Sequence, residues 1–155
     1  MALGSLFPKG MAEASIRRQL QPGCVVKFKA TMDDGKVHEK RFIVLSVSAR
    51  TTTLVLNSEI SRFILARPEI MKCQVKIDAA THLFMDHDSH IDCSRSREYS
   101  TTEVIEQLVA NPSWVLGKIG QHVGLQVISA IKSSITISPS EASSLCDSLA
   151  AALDP

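Results

Sequence analysis

The sequence has few aromatic residues, no long apolar run and no excess of charge of one sign. Aromatic residues make up 5% of the 155 residues, which disfavours RNA recognition through several stacked rings. Lys and Arg number 17 against 16 Asp and Glu, for a net charge of +1. This balance excludes a histone-like polybasic protein but allows a local basic groove. No apolar run approaches the about 18–20 residues that cross a bilayer.

The cysteines lack the C-x-x-C spacing of redox and zinc sites, and they are Cys24, Cys73, Cys93 and Cys146. In a reducing compartment such cysteines are expected to be free and mostly buried. A short apolar patch at residues 2–7 precedes Lys9, whereas a secretory signal has its cations first and a longer apolar region. We therefore expect a cytoplasmic protein without a membrane partner.

The first half of the chain predicts strands. Residues 24–32 and Val37–Val47 are rich in β-branched and apolar residues, and they flank the sequence DDGK at residues 33–36, which is typical of a hairpin turn. A third strand is predicted at residues 53–58. Residues 81–93 are expected to be extended.

The second half predicts helices. Two capping boxes, STTE and SPSE, predict helices at residues 101–110 and 139–153. Between them we expect a helical stretch at residues 113–131, whose first half is disfavoured by three glycines within eight residues, and a short strand at residues 134–138. With a further helix at residues 11–20, the order of strands before helices indicates the α+β class.

The densest polar cluster is DHDSHIDC at residues 86–93, with His82 just before it. In an extended chain, alternate residues share one face, namely Asp86, Asp88, His90 and Asp92. Carboxylates and imidazoles at this spacing can bind a divalent metal or transfer protons. Three interpretations stay open: a solvated strand face, a catalytic or RNA-facing surface, and a metal-dependent hydrolase that uses His82, His87 and His90.

A second charged group, HEKR, opens the second predicted strand. Alternation places His38 and Lys40 on one face of this strand and Arg41 on the other. A guanidinium at a strand end is suited to phosphate binding, because its planar donors match two phosphate oxygens. Arg95 and Arg97 add cations on a later loop. Together these residues predict a local basic groove, with an exposed strand entrance as the alternative.

Five short segments, taken in order, resemble the MazF/PemK family of bacterial toxins. They are PGCVV at residues 22–26, KRFIVLS at 40–46, the strand at 53–58, DSHI at 88–91, and KIG at 118–120 before an amphipathic helix. The resemblance covers about residues 22–131. It implies a barrel domain at residues 22–133 with an inserted helix, a helical N-terminal extension at residues 1–21, and a strand and helix extension at residues 134–155.

Members of that family are small SH3-like β-barrels with a C-terminal helix. They act as dimers and cut single-stranded RNA without a metal or cofactor. The resemblance therefore implies an α+β protein with an SH3-like barrel and later helices, acting as a cytoplasmic endoribonuclease of a toxin–antitoxin system. The implied partners are single-stranded RNA, an antitoxin protein and a second copy of the chain. The dimer interface is expected to use the barrel and the apolar stretch 114–131. In the alternative, these apolar residues are buried within the monomer.

The resemblance also implies roles for single residues. Arg41 matches the family's phosphate-stabilising Arg, and Ser58 is the nearest match to its catalytic Thr, with Ser61 as the alternative. His38 and Asp88 are expected to position the RNA and transfer protons. The residues expected to bind RNA are Lys40, His87, His90, Arg95 and Arg97. The alternative function is a non-catalytic SH3-like interaction or nucleic-acid-binding module of a defence or regulatory system.

Overall fold

A computed structural model describes residues 9–153 and shows an α+β fold with one seven-stranded antiparallel sheet. The strands are β1 (Cys24–Thr31), β2 (Val37–Val47), β3 (Arg50–Asn57), β4 (Gln74–Ile77), β5 (Ser89–Asp92), β6 (Arg97–Ser100) and β7 (Val115–Lys118). The helices are α1 (Lys9–Gln19), α2 (Arg62–Leu65), α3 (Pro68–Met71), α4 (Thr101–Ala110), α5 (Gln121–Ser133) and α6 (Pro139–Ala152). The apolar patch at residues 2–7 lies outside the described residues. Within residues 9–153, no helix has both the length and the apolar character that a membrane crossing requires.

The strands follow the order β4-β5-β3-β2-β1-β7, and β6 pairs with the first half of β3. β5 pairs with the end of the same β3 edge, at Leu56 and Asn57. β4 and β7 stand at opposite ends of this path, so the sheet over residues 9–153 is not closed into a barrel. The predicted α+β class is confirmed, whereas the SH3-like barrel implied by the resemblance is not.

Helices cover both faces of the sheet. On one face, α1 and α4 pack over an apolar cluster that includes Phe28, Phe42 and Val55. On the other, α5 and α6 pack over a cluster that includes Ile43 and Leu54. Because adjacent residues of a strand point to opposite faces, burial of both faces explains the uninterrupted apolar run in the middle of β2.

The cysteines are free and buried, as predicted, and none forms a disulfide. Burial raises the pKa of the Cys24 thiol to about 11 and raises that of Cys93 well above its usual range. Thiolates are the reactive form of cysteine, so these side chains act as small apolar core residues.

Several predicted elements are confirmed. The hairpin joins β1 and β2 through Gly35, whose φ of 76° is the left-handed conformation that glycine adopts readily. Both predicted helix starts are confirmed by their serine caps, since Ser100 Oγ accepts the backbone N–H of Glu103 and Ser138 Oγ accepts that of Glu141. These contacts satisfy backbone donors that a helix start leaves unpaired.

The helix predicted at residues 113–131 is wrong in its first half. Residues 112–114 form a 3-10 turn, β7 follows, and α5 begins only at Gln121. A Cβ on Gly117 would lie 2.4 Å from the Phe84 ring, so this glycine allows the ring to pack directly on the strand backbone. Of the three glycines, Gly117 lies in β7 and Gly120 precedes α5, whereas Gly124 lies within α5, where a Cβ would meet the side chain of Leu153.

Two further expectations are corrected. Residues 134–138 form no strand; the segment turns from α5 to α6, and Ser134 Oγ donates to the backbone carbonyl of Ser94. Of the stretch 81–93, expected to be extended, only Ser89–Asp92 is a strand. The residues before it turn, because Asp78 accepts the backbone N–H of Thr81 and so favours a local turn over a strand.

The side-chain amide of Gln107 covers part of the β1 edge. β7 pairs only with residues 24–26 of β1. Further along, the Lys29 N–H donates to Gln107 Oε1 at 2.8 Å, and Gln107 Nε2 donates to the Lys29 carbonyl at 2.9 Å. The amide of this α4 residue thus makes the two hydrogen bonds that a neighbouring strand would make at Lys29.

Candidate functional site

The predicted site residues divide between the two faces of the sheet, at the end where β2 begins and β3 ends. Arg41 is paired with Leu56, a residue of the cluster under α5 and α6, and therefore lies on that face. Lys40 Nζ donates to Asn57 Oδ1 at 3.1 Å on the opposite face. This separation follows from strand alternation, as the sequence predicted.

Arg41, Asp86 and His87 form a connected group. The Arg41 Nη1 group donates to Asp86 Oδ1 at 2.9 Å, and His87 Nδ1 lies 2.7 Å from the same oxygen. The hydrogen bond and charge of Arg41 hold the pKa of the Asp86 carboxyl well below its usual range. Asp86 is therefore an anion at neutral pH, and it orients both the guanidinium and the imidazole.

A small pocket of about 270 Å³ surrounds Arg41, and it is also lined by Ser58, His87 and Ser89. An ion pair of 3.1 Å between Lys27 and Glu39 stands at its side. Since His87 uses Nδ1 toward Asp86, its Nε2 is left as the atom that can accept a proton. Arg41 contributes one of its five N–H donors to Asp86, and the others can bind an anion.

A larger groove of about 780 Å³ lies on the opposite face. It contains Lys40, Asn57 and the tip of the β1–β2 hairpin, and Val55, Phe63 and Ile64 are among its apolar lining residues. Lys40 is half-buried, and burial, together with the charge of Arg97, lowers the pKa of its ammonium group. Within residues 9–153, no carboxylate lies within ion-pair distance of Lys40, and Asn57 is its hydrogen-bond partner.

Arg95 and Arg97, both predicted on a loop, share one carboxylate in this groove, although Arg97 is the first residue of β6. Arg97 binds Asp33 through two hydrogen bonds of 3.2 and 3.0 Å, and Arg95 binds it at 3.2 Å. The Arg97 hydrogen bond is the main reason why the pKa of the Asp33 carboxyl falls below its usual range. Both predicted RNA-binding arginines are therefore already paired with an anion.

His38 and Asp88 lie apart from Arg41 and its neighbours. His38 Nε2 is 2.7 Å from Asp34 Oδ2 at the hairpin tip, and it faces the large groove. Asp88 accepts the backbone N–H of Ala79 and pairs with Lys76 at 3.3 Å. The structure thus gathers Arg41, Ser58 and His87 in one pocket but leaves the other two predicted catalytic residues outside it.

His90 and Ser61 also lie away from the Arg41 pocket. His90 is half-buried and paired in register with Asn57, which places it on the face of the large groove. Ser61 caps α2, where its Oγ accepts the backbone N–H of Ile64. Ser58 is therefore the serine of the two that accompanies Arg41.

His82 is buried and held by the protein on both ring nitrogens. Its Nε2 accepts the backbone N–H of Gly120 at 3.1 Å, and its Nδ1 lies beside the backbone carbonyl of Asp78 at 3.2 Å. The imidazole therefore connects the 78–82 turn with the start of α5. Across residues 9–153, no three side chains of the His, Cys, Asp and Glu types lie close enough to hold one metal ion.

Sequence reasoning placed Asp86 in the polar cluster but did not predict its contact with Arg41, 45 residues earlier. It missed Asp33 and Asn57 as site residues, because a turn aspartate and a strand-end asparagine carry no distinct signal. No family model matches the sequence, and no curated protein matches it.

Proposed function

We propose that this protein is an endoribonuclease of a toxin–antitoxin system, acting on single-stranded RNA at the Arg41 pocket without a metal. The observation that carries the proposal is the group formed by Arg41, Asp86 and His87, with Ser58 in the same pocket. The type of reaction is inferred from the resemblance to SH3-like MazF/PemK toxins. The contacts among Arg41, Asp86 and His87 bring together residues that could perform it.

The reaction needs a base, an acid and a cation. In the proposed step His87 Nε2 accepts the proton of the RNA 2′-hydroxyl, whose oxygen bonds to phosphorus while the bond from phosphorus to the 5′ oxygen breaks. Arg41 donates to the non-bridging oxygens, and its effect grows as negative charge develops there. The leaving oxygen takes its proton from the imidazolium or from water. Ser58 positions the phosphate by hydrogen bonding.

The first test is cleavage of a single-stranded RNA transcript with a chelator present. We expect Arg41→Ala to lower the cleavage rate by about 10²–10³-fold, the effect of removing one such donor. Arg17→Ala is the matched control, because Arg17 is also paired with a carboxylate, Glu13, but lies on α1. A 2′-deoxy substitution at the cleaved nucleotide should abolish cleavage there.

Equal cleavage by wild type and Arg41→Ala would remove Arg41 from the mechanism. Cleavage that continues at a 2′-deoxy nucleotide would overturn the proposed nucleophile. Expression in bacteria gives an independent measurement, since an active toxin should arrest growth and Arg41→Ala should not. Co-expression of an antitoxin partner should restore growth.

The second candidate is a non-catalytic interaction module, and one observation favours it. Arg41, Arg95 and Arg97 are each paired with an aspartate, which reduces their attraction for a polyanion. Exposed Phe63 and Leu65 on α2 add apolar surface next to the large groove. Under this proposal wild type neither cleaves RNA nor arrests growth.

A further inference from the structure

Lys40 is a half-buried cation whose hydrogen-bond partner, the side chain of Asn57, is neutral. Moving an ammonium group out of water without an anion is unfavourable. The neighbouring Arg97 adds positive charge and, with burial, lowers the pKa of Lys40. An anion that entered the groove would offset both effects. Lys40 therefore provides one positive charge that the described residues do not balance.

The other charges around the groove limit which anion fits. Arg95 and Arg97 share Asp33, and Asp34, Glu59 and Asp92 also line the groove. These carboxylates repel a polyanion such as RNA or a phosphate dianion. A ligand with a single negative charge meets less of this repulsion than a dianion does, and Lys40 can balance that one charge.

The remaining surface of the groove fits an apolar ligand body. Val55, Ile64 and Ile70 supply aliphatic side chains, and Phe63 supplies an exposed ring at 57% accessibility. The volume of about 780 Å³ lies within the range of small-molecule sites, which combine apolar walls with a few polar groups.

We infer that this groove is a binding site for a monocarboxylate with an apolar body, the carboxylate binding Lys40 and the body lying against Val55, Ile64 and Phe63. Asn57 keeps its amide N–H groups available as further donors to the carboxylate, because its oxygen already accepts from Lys40. Lys40 also borders the Arg41 pocket, but the apolar residues of the inferred site, Val55, Phe63 and Ile64, line only the large groove. The inference does not depend on ribonuclease activity.

The test uses 4-phenylbutyrate and its uncharged amide as probes, with the full chain observed by methyl NMR. Saturable shifts of the Val55, Ile64 and Ile70 methyl signals are expected at millimolar 4-phenylbutyrate. The amide should bind about tenfold more weakly, the loss of roughly one charge-assisted contact. Phenylbutyl phosphate, a dianion, should bind no more tightly than the carboxylate.

Variants separate the charge from the apolar contact. Lys40→Met should remove the preference for acid over amide, and Lys40→Arg should keep it. Phe63→Ala changes an exposed ring and should weaken acid and amide alike. Lys76→Met is the control, because Lys76 is exposed and paired with Asp88, and it should bind as wild type does.

Binding measurements on the wild-type protein alone can overturn the inference, so the test does not require Lys40→Met to fold. Absence of saturable shifts, equal affinity for acid and amide, or tighter binding of the dianion would each do so. A folded Lys40→Met that retains the full preference for the acid would also contradict the role of Lys40.

Discussion

Single carboxylates determine which cations around the end of the sheet are free to bind. Asp86 contacts both Arg41 and His87, and Asp33 contacts both Arg95 and Arg97. Asp33 orders two side chains that lie more than 60 residues away in sequence, and Asp86 orders the distant Arg41 and its own neighbour His87. A change of one such residue therefore alters the position of two cationic or protonatable groups at once.

The Asp33 contacts predict a pH-dependent contribution to stability. The folded state lowers the pKa of Asp33, chiefly through its hydrogen bond with Arg97. The stabilisation is therefore fully present above the ordinary carboxyl pKa of about 3.9 and is lost as the pH falls through the lower folded value. Asp33→Asn should lower the melting temperature by about 2–4 °C at neutral pH, because an exposed pair contributes little.

Thermal unfolding followed by circular dichroism checks this prediction. The difference between wild type and Asp33→Asn should shrink toward zero as the pH falls through the lowered folded-state pKa of Asp33. Asp147→Asn is the matched control, since Asp147 is exposed on α6 and has no ion pair within residues 9–153. A difference that persists unchanged in acid would contradict the assignment.

At the scale of elements, local signals predict where helices and hairpins begin. Both capping boxes and the DDGK turn act within four residues, so the sequence alone locates α4, α6 and the β1–β2 hairpin. β7 is not predicted from the sequence, because its four residues become a strand only by pairing with β1, about 90 residues earlier. The ion pair of Asp33 with Arg97 is likewise not predicted, because it joins residues that are far apart in sequence.

Gly117 gives a direct test of why β7 is not helical. Gly117→Ala should lower the free energy of unfolding by about 1–3 kcal/mol, because the new methyl group displaces the Phe84 ring. Urea unfolding measures this change. Gly10→Ala is the control: nothing lies within 4 Å of a Cβ at Gly10 in α1, so it should be neutral or stabilise by up to about 1 kcal/mol. If Gly117→Ala were as stable as wild type, the Phe84 ring would have moved aside without cost, and the prediction would be contradicted.

At the scale of the whole molecule, most of the apolar stretch 114–131 is used inside the monomer. Ile119, Val123, Val127 and Ile131 are buried against the sheet, whereas Leu125 is exposed at 55%. The homodimer stays a prediction from the resemblance, with Leu125 as the apolar residue of this stretch most available for an interface.

Light scattering at micromolar concentration should give the mass of two chains. Leu125→Glu should shift the protein toward the mass of one chain, because it places a charge in the expected interface. The exposed Gln126→Glu is the control and should stay dimeric. A wild-type mass of one chain, unchanged on concentration, would contradict the dimer.

The amide of Gln107 makes the protection of one sheet edge depend on the position of a helix. While α4 is docked, the N–H and C=O of Lys29 are occupied. If α4 separates from the sheet during partial unfolding, that backbone becomes available to a strand of another molecule. Aggregation of this protein should therefore begin from partly unfolded molecules in which α4 has detached, and it should follow the stability of α4 docking more closely than global unfolding.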